Sequence, residues 1–259
     1  MQTHRVAVIT GASSGIGAAL ARRLGQTDFR LVLASRRDQV LQALSSEIPA
    51  DTLPVVTDVT RRADVARLRD EAIKSFGGVD IWVNNVGRGN NSSVLELTDE
   101  EFDLMMAVNV KSALYGMQAI VPHFIERQRG HLINVSSFLS RVPLASYRSG
   151  YNAAKAALNS LTANLRMDLR RKYPAIHVSL VMPGLVSTEF QRNALGGTPS
   201  VSWASKTGGG AQVQKAEDVA LAIESLIESP REELYTQTGQ SDTVARYFRD
   251  VGEFERGLT

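Results

Sequence analysis

Short apolar, β-branched segments alternate with amphipathic segments of helix length along the 259-residue chain. Near-continuous apolar runs separated by helices are typical of a parallel sheet buried on both faces. We therefore predict an α/β fold with a doubly wound parallel sheet of about seven strands and helices on both faces. The predicted strands lie at 5–10, 30–35, 52–57, 79–85, 131–137, 176–184 and 233–237. The predicted helices lie at 15–25, 38–48, 61–76, 99–126, 150–173, 216–228 and 242–250.

No internal repeat or Pro-rich linker interrupts this alternation, so we predict a single domain over residues 1–259. The exception is the glycine-rich stretch 190–213, which has no clear periodicity. A loop of this length in a compact domain is usually a lid or a disordered insert. We favour a substrate lid because the stretch follows a strand end, where open α/β sheets bind ligands.

The charge balance argues against a nucleic-acid partner. The 29 basic and 27 acidic residues give a net charge of +2, and the basic side chains are scattered in short pairs. The chain has no cysteine, which excludes disulfides and a thiol nucleophile, and its four histidines lack a metal-ligand spacing. We see no leader segment and no apolar segment long enough to span a bilayer, so we expect a cytoplasmic protein with no membrane and no metal.

The first predicted strand ends in the glycine-rich turn TGASSGIGAALARRL at residues 10–24. Glycines let a backbone approach a pyrophosphate closely, and the start of the following helix supplies free N–H groups. We interpret the turn as a dinucleotide cradle, the alternative being a tight turn that merely needs small residues. The residues expected there are Gly11, Ser13, Ser14, Gly15, Ile16 and Gly17.

The second predicted strand ends without the carboxylate that would bind the ribose hydroxyls of NAD. It reads Ala34-Ser35-Arg36-Arg37, and Ser35 with Asp38 matches a capping box. Two arginines in a first helical turn oppose the helix dipole unless an anion faces them, and a 2′-phosphate would be that anion. We expect NADP(H) to be preferred over NAD(H), the alternative being that both arginines are solvated surface.

With these features the chain resembles the compact, single-domain short-chain dehydrogenases/reductases, whose fold is Rossmann-like. The resemblance covers nearly the whole length, and the motifs stand in the family's order. They are Thr10-Gly-x-x-x-Gly-x-Gly17, Asp58-Val59, Asn84-Asn85-Val86-Gly87, Asn109, a serine after the fifth strand, Tyr151-x-x-x-Lys155, and Pro183-Gly184 followed by Thr188.

The resemblance implies further cofactor contacts and an assembly. Family members usually have Ala where Val86 stands. The resemblance also implies that Lys155 binds the nicotinamide ribose, that Asn109 holds a water for proton supply, and that the protein forms a homodimer or homotetramer. The additional residues that it assigns to the cofactor are Asp58, Val59, Asn85, Gly87, Tyr151, Pro183, Gly184, Val186 and Thr188.

Carbonyl reduction by hydride transfer leaves negative charge on oxygen, so the site needs a proton donor aimed at that oxygen. Tyr151 and Lys155 stand at i and i+4 on the predicted helix and share a face, so the ammonium is expected to lower the pKa of the phenol. Tyr147 has no lysine within a helical turn. We therefore expect Tyr151 to be the general acid/base.

The catalytic serine is harder to assign because the family's usual spacing, thirteen residues before the tyrosine, falls on Phe138. Ser137, fourteen residues before it, matches the second serine of the usual pair at the strand end. Loops vary in length more easily than strand ends. We choose Ser137, with Ser136 as the alternative pointing to the other side of the strand.

These residues predict an NADP(H)-dependent oxidoreductase acting on a small carbonyl or secondary alcohol compound. The alternatives are a non-catalytic NADP(H)-sensing protein, or an epimerase or dehydratase of the same fold, which the glycine spacing disfavours. Apolar residues such as Leu139, Leu144 and Phe190 favour a lipophilic substrate. Arg88 or Arg148 could instead bind an acidic substrate group, and the sequence does not rank these two.

Overall fold

The computed structural model describes residues 4–190, 192–196 and 213–258. Its central element is a seven-stranded parallel sheet, and a separate pair of two-residue strands lies beside it. The strands of the sheet are β1 Arg5–Thr10, β2 Phe29–Ser35, β3 Thr52–Val56, β4 Ile81–Asn84, β5 Gly130–Val135, β6 Ile176–Met182 and β9 Glu233–Tyr235. The separate pair is β7 Val186–Ser187 and β8 Gln214–Lys215.

The strand order is β3-β2-β1-β4-β5-β6-β9, which confirms the predicted doubly wound sheet. The chain builds outward from β1 to β3, then crosses back to β4 and builds in the other direction. Ligands bind in such sheets beyond the carboxyl ends of the strands, at the point where the order reverses. Here that point lies between β1 and β4.

The helices agree with the sequence expectation in number and place, with two differences. The predicted helix 99–126 contains a π-helical turn at Ala107–Lys111. A last helix that the sequence analysis missed is capped by Asp250, whose carboxylate accepts from the Glu253 amide at 2.8 Å. The helices are α1 Gly15–Leu24, α2 Asp38–Glu47, α3 Arg62–Phe76, α4 Asp99–Met106, α5 Ser112–Arg127, α6 Ser149–Arg170, α7 Ala216–Glu228, α8 Gln240–Arg249 and α9 Val251–Arg256.

Both faces of the sheet are buried, and the alternation along β1 shows why its strands read as continuous apolar runs. Ala7 and Ile9 pack into the layer formed with α1, α2 and α7. Val6 and Val8 pack into the opposite layer, with α3, α5 and α6. Because successive side chains of a strand point to opposite faces, all four central positions of β1 carry an apolar residue.

The helical run Asp99–Arg127 corrects one expectation from the sequence. By length and composition alone, its 29 residues could cross a membrane, whereas we expected no apolar segment long enough to do so. Half of its most apolar window is buried inside the protein. Ala113, Ile120 and Phe124 of α5 belong to the core beneath the sheet. Burial in the core therefore accounts for the apolar composition.

The segment that we predicted as a lid, 190–213, is only partly described. Residues 191 and 197–212 lie outside the described ranges. On either side of them, β7 pairs in parallel with β8, and the Gln214 amide donates to the Leu185 carbonyl at 2.8 Å. The two ends of the segment are therefore tied together beside the carboxyl edge of the sheet.

Candidate active site

The glycine turn between β1 and α1 has the geometry of a pyrophosphate cradle. Gly11 and Gly15 have φ of 69° and 53°, in the left-handed region that favours glycine. A Cβ on Gly17 would lie 2.3 Å from the Gly11 carbonyl oxygen, so no larger residue fits there. The first turn of α1 carries no acidic side chain to oppose an anion. The turn therefore fits the pyrophosphate of a dinucleotide.

Asn85 joins this turn to the end of β4. Its side-chain amide donates to the Thr10 carbonyl at 3.0 Å, and its backbone amide donates to the Thr10 hydroxyl at 3.0 Å. The Thr10 hydroxyl in turn donates to the Val83 carbonyl. Hydrogen bonds thus bind the two central strand ends together, and Asn85 shapes the floor of the site through its protein contacts.

The end of β2 differs from the expected capping box. The Ser35 hydroxyl accepts from the Arg37 amide at 3.0 Å, and α2 begins at Asp38 with no side-chain cap. Ser35 is the last residue of the strand, so its hydroxyl closes a local turn two residues on and does not cap the helix. The Arg37 guanidinium donates to the Ser13 hydroxyl at 2.9 Å, while Arg36 is exposed.

Asp58 follows β3 with its carboxylate already engaged. It accepts from the Thr60 hydroxyl at 2.7 Å and from the Thr60 amide at 3.0 Å. Partial burial acts to raise the pKa of Asp58, but these two hydrogen bonds and the charges of Arg36 and Arg61 outweigh it and lower the pKa below its usual value. Val59, the next residue, is buried. The end of β3 therefore combines an ionised Asp58 carboxylate, held in place by Thr60, with the apolar side chain of Val59.

Asn109 lies in the π-helical turn and supports the cleft from behind. Its side-chain oxygen accepts from the Arg88 amide at 3.1 Å, and its amide donates to the Arg88 carbonyl at 2.9 Å. A Cβ on Gly87 would lie 3.2 Å from Asn109 Oδ1 and 3.4 Å from Lys155 Nζ. The absence of a side chain at Gly87 therefore lets the backbone of the cleft wall lie close to both Asn109 and Lys155.

Tyr151 and Lys155 are both buried at the start of α6, 7% and 2% exposed. The ammonium lies 5.9 Å from the centre of the Tyr151 ring. Burial lowers the pKa of Lys155 to about 7. Burial also raises the pKa of Tyr151, against smaller lowering effects of a hydrogen bond with Ser137 and the charge of Arg148. The expected lowering of the phenol pKa by the lysine is therefore wrong for this structure, because loss of hydration dominates.

Ser136 and Ser137 point in opposite directions. The Ser136 hydroxyl donates to Asn159 Oδ1 of α6 at 2.6 Å. The Ser137 hydroxyl lies beside the Tyr151 phenol and accepts from the Leu139 amide at 3.2 Å. Of the two serines, Ser137 is the one that the structure brings to the tyrosine.

The segment after β6 runs along the same cleft. The Pro183 carbonyl accepts from the Phe138 amide at 2.9 Å, which joins this segment to the serine loop. A Cβ on Gly184 would lie 2.1 Å from Gln237 Oε1. Thr188 faces the glycine turn, where a Cβ on Gly15 would meet its methyl group at 3.1 Å. Val186 packs against the core layer of α1 and α7.

Sequence reasoning missed two buried amides that hold the site. The Asn90 side-chain oxygen accepts from the Tyr151 amide at 2.9 Å, which fixes the start of α6. Asn159 accepts from Ser136 and donates to the Ser140 hydroxyl at 2.7 Å, which fixes the serine loop. Asn159 stands one helical turn beyond Lys155, and an amide there among apolar neighbours is the signal that could have found it.

The predicted residues gather around one cleft of about 1550 Å³. Two of them, Gly17 and Asn109, stand behind its wall and shape it. Within the described ranges, no group of three or more His, Asp or Glu side chains could hold a metal ion. The predicted residues that line the cleft are Gly11, Ser13, Ser14, Gly15, Ile16, Ser35, Arg36, Arg37, Asp58, Val59, Asn85, Gly87, Ser137, Tyr151, Lys155, Pro183, Gly184, Val186 and Thr188.

Comparison with known proteins assigns the chain to a family. The family model described as short chain dehydrogenase matches residues 5–196. An uncharacterized oxidoreductase of Staphylococcus aureus strain MW2 is 37% identical over 187 residues, which is 72% of this chain and 80% of the relative.

Two solved structures extend the similarity over most of the fold. A short chain dehydrogenase/reductase from Burkholderia phymatum in complex with NAD is 27% identical, with a TM-score of 0.85, over 97% of this chain and 96% of that one. An alcohol dehydrogenase from Thermococcus sibiricus complexed with 5-hydroxy-NADP is 28% identical, with a TM-score of 0.75, over 89% of this chain and 95% of that one. The chain is an oxidoreductase of the short-chain dehydrogenase/reductase family, whose fold binds a nicotinamide cofactor.

Proposed function

We propose that the protein transfers a hydride between NADP(H) and a carbonyl or secondary alcohol compound, with Tyr151 as general acid/base. One observation carries the proposal: Tyr151 lies beside Ser137 in the cleft that also contains Lys155 and the glycine turn. A proton donor, a second hydroxyl and a cofactor cradle thus share one cavity. A bound nicotinamide would supply or accept the hydride there.

The side chains support reduction of a carbonyl group at neutral pH. Because burial raises the pKa of Tyr151, its phenol is protonated at neutral pH and can donate that proton to the oxygen on which charge develops. The Ser137 hydroxyl would donate a hydrogen bond to the same oxygen. Lys155, held by the Val135 carbonyl at 2.8 Å, would bind the ribose hydroxyls.

Exchange of Tyr151 for Phe tests the proposal, with Tyr147→Phe as the matched control. NADPH oxidation would be followed across ketones, quinones, steroids and keto-acyl thioesters, and NADPH binding by its fluorescence. Tyr151→Phe should lower kcat by at least about 100-fold and leave NADPH affinity nearly unchanged. Retention of most of the turnover in Tyr151→Phe would remove Tyr151 from the role.

Two other functions remain as outcomes of the same experiment. A protein that binds NADPH but turns over no compound would be a sensor. Conversion of a substrate without net oxidation of NADPH would indicate an epimerase or dehydratase. The Gly-x-x-x-Gly-x-Gly spacing of residues 11–17 favours the oxidoreductase over an epimerase or dehydratase, and the intact set of Ser137, Tyr151 and Lys155 favours it over a sensor.

The preference for NADP(H) is supported by the charges at the end of β2. Ser35 stands where a ribose-binding carboxylate would be expected, and the exposed guanidinium of Arg36 follows it. Guanidinium groups bind phosphates well. The kcat/KM ratio of NADPH to NADH should exceed one, and Arg36→Ser should lower kcat/KM for NADPH by about 10-fold while changing that for NADH little. Equal use of both cofactors by the wild-type protein would refute the preference.

We also propose that the protein forms a homodimer or homotetramer. Phe102 on α4 and Met167 on α6 are 41% and 74% exposed, so both helices leave apolar side chains uncovered. Burial of such side chains between copies would be favourable. Light scattering should give a mass of two or four chains, and a mass of one chain would refute the proposal.

A further inference from the structure

A buried arginine stands beside the tyrosine. Arg148 immediately precedes α6, three residues before Tyr151, and only 6% of it is exposed. Residues three apart at the start of a helix lie on the same side. The positive charge of Arg148 also opposes the effect of burial on the pKa of Tyr151. Arg148 lines the cleft that contains the tyrosine.

Aromatic rings surround the Arg148 guanidinium. Its central carbon lies 5.6 Å from the ring centres of both Tyr147 and Phe190. The Phe190 ring packs edge-on against Tyr151, with centres 5.2 Å apart. A Cβ on Gly89 would lie 2.2 Å from Arg148 Nη1, so glycine makes room for the guanidinium. Arg148 and Tyr151 therefore belong to one aromatic-walled part of the cleft.

This guanidinium has no counter-charge from the chain. Among the described residues, no carboxylate lies within ion-pair distance of Arg148, and its Nη1 atom is buried without a hydrogen-bond partner. Glu101 and Glu189 are engaged elsewhere, accepting from Ser92 at 2.6 Å and facing Arg37 at 3.7 Å. Residues outside the described ranges contain no Asp or Glu, so their side chains cannot supply the missing carboxylate.

A buried charge of this kind is costly to keep. Guanidinium groups stay positively charged in proteins, and burying a charge without an opposite charge is strongly unfavourable. The neighbouring Tyr147 supplies no opposite charge, because burial raises the pKa of its phenol above the usual value and keeps it neutral. An anion from outside the chain would supply the missing opposite charge.

Arg88, the alternative that the sequence left open, is placed differently. Its side chain donates to the Asn193 carbonyl at 3.1 Å and reaches solvent. A solvated guanidinium with a backbone partner does not need an anion. The contrast in burial favours Arg148 over Arg88.

We propose that Arg148 binds a carboxylate of the substrate, so that the substrates are keto acids or the corresponding hydroxy acids. This inference rests on the proposed function, because it names the substrate class of the same site. The carboxylate would pair with the guanidinium while the carbonyl carbon of the same molecule lies at Tyr151. Leu139 and Leu144, which also line the cleft, would cover the apolar part of the substrate.

Matched acids and esters test the inference in the wild-type protein. The probes are benzoylformate and 4-oxo-4-phenylbutanoate, each beside its methyl ester, with NADPH as reductant. The kcat/KM for at least one acid should exceed that for its ester by about 10-fold or more, because only the acid forms a charge-assisted pair. Equal or better turnover of both esters would overturn the inference and leave the proposed function standing.

Variants assign the preference to one side chain. Arg148→Met should abolish the preference for the acid by lowering kcat/KM for the acid only. Arg148→Lys, which keeps the charge but loses the paired donors, should retain part of it and serves if the Met variant does not fold. Arg88→Met is the matched control and should keep the preference. An equal loss for acid and ester in Arg148→Met would show a structural role and overturn the inference.

A binding measurement separates this inference from the proposed function. Calorimetry would record 4-phenylbutyrate, an unreactive carboxylate, binding to the protein saturated with NADP⁺. Its Kd should rise by about 10-fold or more in Arg148→Met, while the Kd of NADPH stays the same. If no probe is turned over, the proposed function fails and this binding result alone decides the inference. An unchanged Kd for 4-phenylbutyrate would overturn it.

Discussion

The Lys155 ammonium donates a hydrogen bond to the main-chain carbonyl of Val135, with Nζ and O 2.8 Å apart. Val135 is the last residue of β5, and Ser136 and Ser137 follow it directly. One strand end therefore positions both the lysine of α6 and the serine that meets Tyr151. The rigid parallel sheet sets the spacing of groups that are far apart in the sequence.

The burial of Lys155 predicts an unusual pH dependence of stability. Its pKa falls from 10.5 to about 7 on folding, so between these values the unfolded chain holds the proton more tightly. The free energy of unfolding therefore rises with pH across this window, and the full cost of the buried charge is present below pH 7. Without added cofactor, Lys155→Met should melt at least about 3 °C above the wild type at pH 6.5, and the gap should narrow towards pH 10.

Differential scanning calorimetry at pH 6.5, 8 and 10 checks this prediction. Lys74→Met, at an exposed position of α3, is the control and should follow the wild-type curve. Lys155→Met also loses the hydrogen bond to the Val135 carbonyl, which reduces the expected rise in melting temperature. This loss is smaller than the cost of burying the lysine charge. A wild-type protein that melts above Lys155→Met at pH 6.5 would contradict the argument.

The two serines after β5 should separate catalysis from stability. Ser137→Ala removes the hydroxyl beside Tyr151 and should lower kcat about 100-fold with little change in unfolding. Ser136→Ala leaves Asn159 without its 2.6 Å donor and should cost about 1 to 3 kcal/mol of stability. Steady-state kinetics and urea unfolding of both variants measure the split. If Ser136→Ala lost more activity than Ser137→Ala while still folded, the choice of Ser137 would be wrong.

Residues within one local motif could be predicted from the sequence. The near-continuous apolar runs were sufficient to predict the strands, because each face of the sheet packs against its own apolar layer. The glycine turn and the i, i+4 pair of Tyr151 and Lys155 are local, so spacing alone brings their groups together. Ser137 was chosen because it matches the family's second serine at the end of β5, and the alternation of side chains there made Ser136 the poorer alternative.

Residues whose partners come from distant segments could not be predicted in this way. Asn90 meets the start of α6 across 61 positions, and no spacing rule connects the two. The pKa of Tyr151 was misjudged because a helical spacing says nothing about hydration. The Ser35 capping box was wrong because Arg37, two residues after Ser35, is the N-cap residue of α2, so Ser35 stands outside the helix start. A long-range contact decides the first of these cases and burial decides the second.

The glycine turn predicts that Gly17→Ala impairs cofactor binding. The new Cβ would lie 2.3 Å from the Gly11 carbonyl and 2.6 Å from the Asn85 side-chain nitrogen, so the turn must move. Fluorescence titration should show the NADPH affinity falling by about 10-fold or more if backbone N–H groups of the turn bind the pyrophosphate, as proposed. Wild-type affinity in this variant would mean that the turn does not hold the cofactor.

Gly77→Ala is the matched control for the loss of stability. Gly77 has φ of 78° and no atom near its would-be Cβ, and it caps α3 away from the cleft. Alanine there costs about 1 kcal/mol through backbone strain alone. This variant should unfold more easily and bind NADPH normally, which separates lower stability from damage to the turn.

His131 predicts acid sensitivity of the fold. It is 3% exposed, its Nε2 lies 2.8 Å from the Ser179 hydroxyl, and its Nδ1 has no partner among the described residues. Burial, with a smaller effect of the neighbouring His177 charge, lowers its pKa from 6.5 to about 3. Below pH 6.5 the unfolded chain therefore binds a proton at His131 that the folded chain binds only near pH 3. The free energy of unfolding falls as the pH is lowered through this window. Urea unfolding of the wild type should lose about 2 kcal/mol more between pH 7.5 and 5.0 than that of His131→Gln, whereas His177→Gln should lose nearly as much as the wild type. Equal losses in the wild type and His131→Gln would show that His131 does not carry the effect.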